Sequence, residues 1–160
     1  MSEKHDLYLN ILKDYLSKKE NIEIISTEGG FGCPVFPDIT AIDSSRDIYL
    51  FYELKVEKTD IRNAIYQLEM AKVCAKQQGR NSASFIVLPF ELFLEFTTRQ
   101  GTFKEGEDFY AEITDYLWKD RLFEKLGYGV LLILKKEIKE LRCAFIDENI
   151  NRQKIVSMEG

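Results

Sequence analysis

PDITAIDSSRDIYLFYELKV, residues 37–56, is the stretch on which the fold turns. Two apolar, β-prone runs, residues 39–43 and 48–56, flank the polar cluster Ser44-Ser45-Arg46-Asp47. That pattern predicts an antiparallel hairpin, although the cluster lacks an Asn-Gly turn pair. Side chains alternate faces along a strand, so Glu53 and Lys55 share one face while Leu54 enters the other. A turn symmetric about Ser45-Arg46 sets Asp38 directly across from Glu53, with Cβ atoms about 5 Å apart. Two carboxylates and a lysine then converge at one end of the hairpin.

Upstream, Leu7, Ile11, Leu12, Tyr15 and Leu16 recur at helical spacing and predict a helix over 4–19. Residues 21–27 alternate and are β-branched, a first strand, and a glycine-containing loop at 28–34 follows. Downstream, Ile61, Ala64, Ile65, Leu68, Ala71 and Ala75 predict a helix over 60–78, stopped by Gly79. Residues 83–88 read as a buried strand ended by Pro89, with a short helix at 90–96. Ile113, Tyr116, Leu117, Phe123 and Leu126 mark a further helix, closed by Gly127. Residues 130–134 form a second buried strand, and Leu141, Cys143 and Phe145 suggest an alternating edge strand. The order implies an α/β fold: a central mixed β-sheet flanked by helices.

The 160 residues, 45% hydrophobic and 31% charged, suit one globular domain over 1–160. The charged N-terminus carries no signal-peptide pattern and no run reaches membrane-span length, so the expectation is a soluble, cytoplasmic protein. Cys33, Cys74 and Cys143 are odd in number and without a CxxC pair, and the single histidine, His5, lies near the terminus. A disulfide framework or structural zinc site is therefore not expected, and Cys74 and Cys143 read as core residues. The formal net charge of −5 argues against a protein that coats nucleic acid by bulk electrostatics, and leaves open a local basic groove.

Acidic and basic residues on a strand are commonly a solvated edge. Here Ile48, Tyr49, Leu50, Phe51, Leu54 and Val56 surround the polar residues, and charges inside so apolar a strand generally serve a purpose. Facing carboxylates repel once desolvated and invite a divalent cation or a shared proton. Oxygen ligands without thiolate or imidazole suit Mg2+ or Mn2+, completed by water and substrate phosphate. A neighbouring lysine suits orienting or deprotonating water and stabilising phosphate charge, so the set fits phosphodiester hydrolysis.

The stretch PDITAIDSSRDIYLFYELKVEKTDIRNAIYQLEMAK resembles the core of the PD-(D/E)XK, or restriction-endonuclease-like, nuclease superfamily. The matching pieces are Pro37-Asp38, Glu53-Leu54-Lys55 and Gln67, with later strands similar at residues 85–89 and 126–132; the resemblance spans residues 4–146. It implies that Asp38, Glu53 and the Leu54 carbonyl hold the metal, that Lys55 handles the water, and that Gln67 supports the site. Members with that glutamine often carry a tyrosine four residues on, where this chain has Ala71. Many also supply an acid from the first helix; Glu3, Asp6 and Glu28 are the candidates, and the third acidic position stays open. The implied activity is Mg2+- or Mn2+-dependent hydrolysis of DNA, endonucleolytic, leaving 5′-phosphate and 3′-hydroxyl ends.

A second reading keeps the fold and drops the chemistry: a catalytically silent subunit that binds nucleic acid or protein. Intact Asp38, Glu53 and Lys55 favour the enzyme; the acidic net charge and the open third acid favour the silent subunit. A small-molecule phosphoesterase finds no support, because Gly29, Gly30 and Gly32 are not followed by a P-loop lysine and read instead as a flexible rim. Arg62, Lys72 and Lys76, extended by Lys58 and Arg80 and interrupted by Glu69, form a helix stripe that is either solvated or grips phosphate backbone. Trp118 and Phe123 read as core or interface. Cutting both strands of a duplex is simplest for a homodimer.

Overall fold

The computed structural model describes residues 3–26, 37–57, 61–97 and 122–142. Glu28, the glycine loop, Lys58, Trp118, Cys33, Cys143 and Phe145 lie outside them. In chain order the elements are α1 (Glu3–Ser17), β1 (Ile22–Ser26), β2 (Ile39–Asp43), β3 (Ile48–Leu54) and α2 (Ile61–Gln77). They continue with β4 (Ser82–Pro89), α3 (Phe90–Thr97), α4 (Leu122–Leu126), β5 (Gly129–Leu134) and β6 (Glu137–Arg142).

The strands form one six-stranded sheet in sequence order. β1–β2, β2–β3 and β5–β6 pair antiparallel, and β3–β4 and β4–β5 pair parallel. The fold is thus α/β with a mixed sheet, as the order of apolar periods implies. The β2–β3 turn is held by Asp43, only 4% exposed. Its Oδ1 accepts from Ser45 N, Ser45 Oγ and Arg46 N at 3.0, 2.6 and 3.2 Å, and Oδ2 accepts from Arg46 NH1 at 3.2 Å. Asp47 supplies the left-handed residue, φ 54°, a conformation that Asp adopts more readily than most residues. An aspartate-capped turn thus replaces the Asn-Gly pair.

Gly79 and Gly127, both at φ 75°, close α2 and α4. Arg80 N donates to Ala75 O at 2.8 Å and Gly79 N to Lys76 O at 3.0 Å, the paired bonds of a Schellman motif. Tyr128 N donates to Phe123 O at 2.9 Å in the same way.

Strand alternation divides the core. Even residues of β3 (Leu50, Tyr52, Leu54) pack with Leu9, Leu12 and Leu16 of α1, together with Phe85, Val87, Leu131 and Ile133. On the other face Phe51 packs with Ala64, Leu68, Ala71 and Ala75 of α2, together with Ile86, Leu88, Val130, Leu132 and Phe123. α1 touches β1, β3 and β6, both edges and the middle, so the sheet curls around it.

Two expectations are corrected. The edge strand β6 begins at Glu137, ahead of the predicted Leu141-Cys143-Phe145 run. Its turn is Lys135-Lys136 with Lys135 at φ 57°, and Glu137, Lys139 and Glu140 are exposed, so neither turn residue nor apolar alternation announces it. Cys74 is half-buried, not a core thiol, and is held in a disulfide. Distance along the sequence does not limit which cysteines a folded chain brings together. No helix among the described residues is long and apolar enough to cross a membrane.

Candidate metal and phosphodiester site

Asp38 stands one residue before β2, and the register Ile39↔Tyr52 carries it to the position opposite Glu53. Backbone and carboxylate interlock there. Asp38 N donates to Glu53 Oε1 at 2.9 Å, and Leu54 N donates to Asp38 Oδ2 at 2.8 Å. Each carboxylate is thereby aimed by the other strand's backbone, while Asp38 Oδ1 takes no part in these bonds. Lys55 Nζ lies 3.5 Å from Glu53 Oε2, on the face of the sheet that also carries Phe51. Lys55 N still donates to Val87 O at 3.1 Å, so its backbone remains in the ladder with β4.

Glu53 is 1% exposed. Burial is the main reason that its carboxyl is pushed up to about 8; the charge of Asp38 adds to the rise, and Lys55 opposes it. Ionised, the pair has more negative charge than the lysine balances, which is the electrostatic setting for a cation.

Sequence reasoning missed His5. Its Nε2 lies 3.5 Å from Asp38 Oδ2, and its side chain is largely buried. The signal was present: His5, Leu9, Leu12 and Leu16 fall at helical spacing, and the three leucines are buried, so His5 extends the buried face of α1 by one turn. Glu3 and Asp6 are exposed, and the turn they share presents His5 to Asp38. The candidate third acid Glu28 lies outside the described residues.

Gln67 is half-buried on the flank of the Ala64-Leu68-Ala71-Ala75 face of α2. Ala71 is fully buried, leaving no room for a tyrosine in that position without repacking. Arg62, Lys72 and Lys76 are exposed. α2 begins at the end of the sheet where β3 ends, so Arg62 is near the carboxylates in height. Lys76 lies about 20 Å further along the helix. The structure brings Asp38, Glu53, Lys55 and His5 together; Lys72 and Lys76 are remote from them.

Among the described residues no three His, Cys, Asp or Glu side chains are arranged as a ready-made cation cage. Mg2+ does not require one, since it commonly binds through one or two carboxylates plus water and phosphate. The interlocked Asp38–Glu53 pair offers two such carboxylates. A cavity of about 290 Å3 opens on the other face of the sheet, behind Tyr52, and plays no part in this cluster.

No protein-family model matches the chain, and no curated protein matches it. Among solved structures, an XisH family protein from Nostoc punctiforme PCC 73102 superposes with TM-score 0.50 at 11% identity, over 84% of this chain and 97% of that one. The fold is restriction-endonuclease-like. An SPO1766 protein of unknown function from Silicibacter pomeroyi gives TM-score 0.49 at 11% identity, over 94% of this chain and 83% of that one. Pyrococcus furiosus SfsA in complex with Ca2+ gives 0.34 at 18% identity, over 86% of this chain and 60% of that one. At 11% identity the likeness to the XisH family protein is one of architecture. Architecture alone does not fix what a site does; its own residues do.

Proposed function

We propose that this chain is a Mg2+- or Mn2+-dependent nuclease of the PD-(D/E)XK superfamily that hydrolyses DNA phosphodiester bonds endonucleolytically. The observation that carries the reading is the reciprocal lock between Asp38 and Glu53, with Lys55 Nζ 3.5 Å from Glu53. Asp38, Glu53 and the Leu54 carbonyl would hold the cation, which when bound supplies charge neutralisation at phosphate oxygens and makes water a stronger acid. Lys55 orients the attacking water and meets charge developing on the phosphate. His5 orients Asp38 from α1, Gln67 supports the site from α2, and Arg62, Lys72 and Lys76 offer contacts to the phosphate backbone. A homodimer would place two such sites on a duplex.

The silent-subunit reading draws on the lack of a ready-made cage among the described residues. One experiment separates the two. The purified full chain is incubated with linear, circular, branched and single-stranded DNA, in Mg2+ or Mn2+ and in EDTA. Cleavage that requires the cation supports the nuclease; binding without cleavage in every cation supports the silent subunit.

A further inference from the structure

On the face of the sheet opposite Glu53, the curl stays open beyond the last turn of α1, leaving a cavity of about 290 Å3. Its floor is apolar: Leu50, Tyr52, Phe85 and Leu131 contribute, and the Tyr52 and Phe85 rings stack with centroids 4.8 Å apart. Ligand sites commonly lie in the open mouths of curled sheets, and this volume is near the lower end of their usual range, enough for an indole-sized ring.

The lip decides the ligand's charge. Arg46 is tied to Asp43 at 3.2 Å, and Asp43 is further occupied by Ser45 and the Arg46 backbone. Lys19 Nζ lies over the Tyr15 ring, 4.8 Å from its centroid. Glu20 and Glu140 line the same lip, are exposed, and make no ion pair among the described residues. With Arg46 and Asp43 paired to each other, the charges left at the opening among the described residues are Glu20 and Glu140 against Lys19, a net negative lip around an aromatic floor. We propose that this cavity is a binding site for a flat, apolar ligand carrying a cationic group, the chemistry of an aromatic amine. The ring would lie in the pocket over Phe85 and Leu131, with its cation outward between Glu20 and Glu140. The proposal is independent of the nuclease reading, since no lining residue belongs to the Asp38–Glu53 cluster.

The test is methyl NMR of the full chain titrated with tryptamine, indole and indole-3-acetate. Tryptamine is expected to move the Leu50 and Leu131 methyl resonances saturably, and to bind about fivefold more tightly than indole, with indole-3-acetate weakest. In the Glu20→Gln, Glu140→Gln double variant, whose changes are exposed and leave the core intact, that advantage over indole should vanish. The proposal is overturned if no probe shifts these methyls saturably or if indole matches tryptamine. It is also overturned if indole-3-acetate binds most tightly, or if the double variant keeps the preference.

Discussion

Glu53 shows how one side chain ties the site to stability. Its carboxyl is pushed up to about 8 from an ordinary value of 4.5, by burial first and by Asp38 second. Because the folded value exceeds the unfolded one, its favourable contribution is fully present below about pH 4.5 and is lost as pH rises through about 8. The metal-free protein should therefore lose on the order of a few kcal/mol from this group over that interval. Glu53→Gln should flatten that part of the profile, as urea denaturation in EDTA at pH 5 and pH 8.5 would show; an unchanged slope would contradict it. His5 is the residue that the sequence concealed, because a lone histidine near a terminus carries no motif. Its legibility lay in the stripe it shares with Leu9, Leu12 and Leu16, whereas the convergence of Asp38, Glu53 and Lys55 follows from strand alternation together with a hairpin turn symmetric about Ser45-Arg46. If Asp38 holds a cation as proposed, His5→Ala should weaken Mn2+ binding about tenfold or more by calorimetry, since His5 Nε2 lies 3.5 Å from Asp38 Oδ2. Unchanged affinity would reduce the pairing of His5 with Asp38 to packing.

At the scale of elements, helices and strands announced themselves wherever period, turn chemistry and burial agreed. The Gly79 stop on α2 is such a case. A Cβ there meets nothing within 4 Å, so replacement costs only the left-handed backbone, φ 75°. Gly79→Ala should lower stability by about 1 kcal/mol and Gly79→Asn by less, measured by denaturant midpoint at constant slope. β6 is hidden for the opposite reason: two lysines make its turn and charges cover its outer edge, so local chemistry conceals the strand. The α2 stripe can be tested through the salt dependence of binding. If Arg62, Lys72 and Lys76 touch phosphate, neutralising all three should lower the slope of log affinity against log salt, by about 0.9 for each phosphate no longer neutralised on duplex DNA. Should the slope not change, the stripe is solvated surface.

For the whole molecule, the six strands lie in sequence order, and the β2–β3 hairpin delivers both carboxylates to the end of the sheet where α2 begins. That placement was legible because it follows from alternation and connection order. The disulfide at Cys74 was not, since pairing of cysteines is a property of three-dimensional proximity. On the proposed nuclease reading, a formal net charge of −5 means that DNA affinity would have to come from local groups and from the cation, not from the protein's overall field. On the proposed reading Asp38 and Glu53 hold a cation on which cleavage depends, and Lys55 acts on water and phosphate. The most direct test measures nicking of supercoiled plasmid in Mn2+ by the wild type and by Lys55→Met, with Mn2+ binding to both followed by calorimetry. Wild-type nicking should require Mn2+ and stop in EDTA, while Lys55→Met should bind Mn2+ at least as tightly and nick slower by a factor on the order of 10² or more. Nicking by Lys55→Met at the wild-type rate would contradict the account.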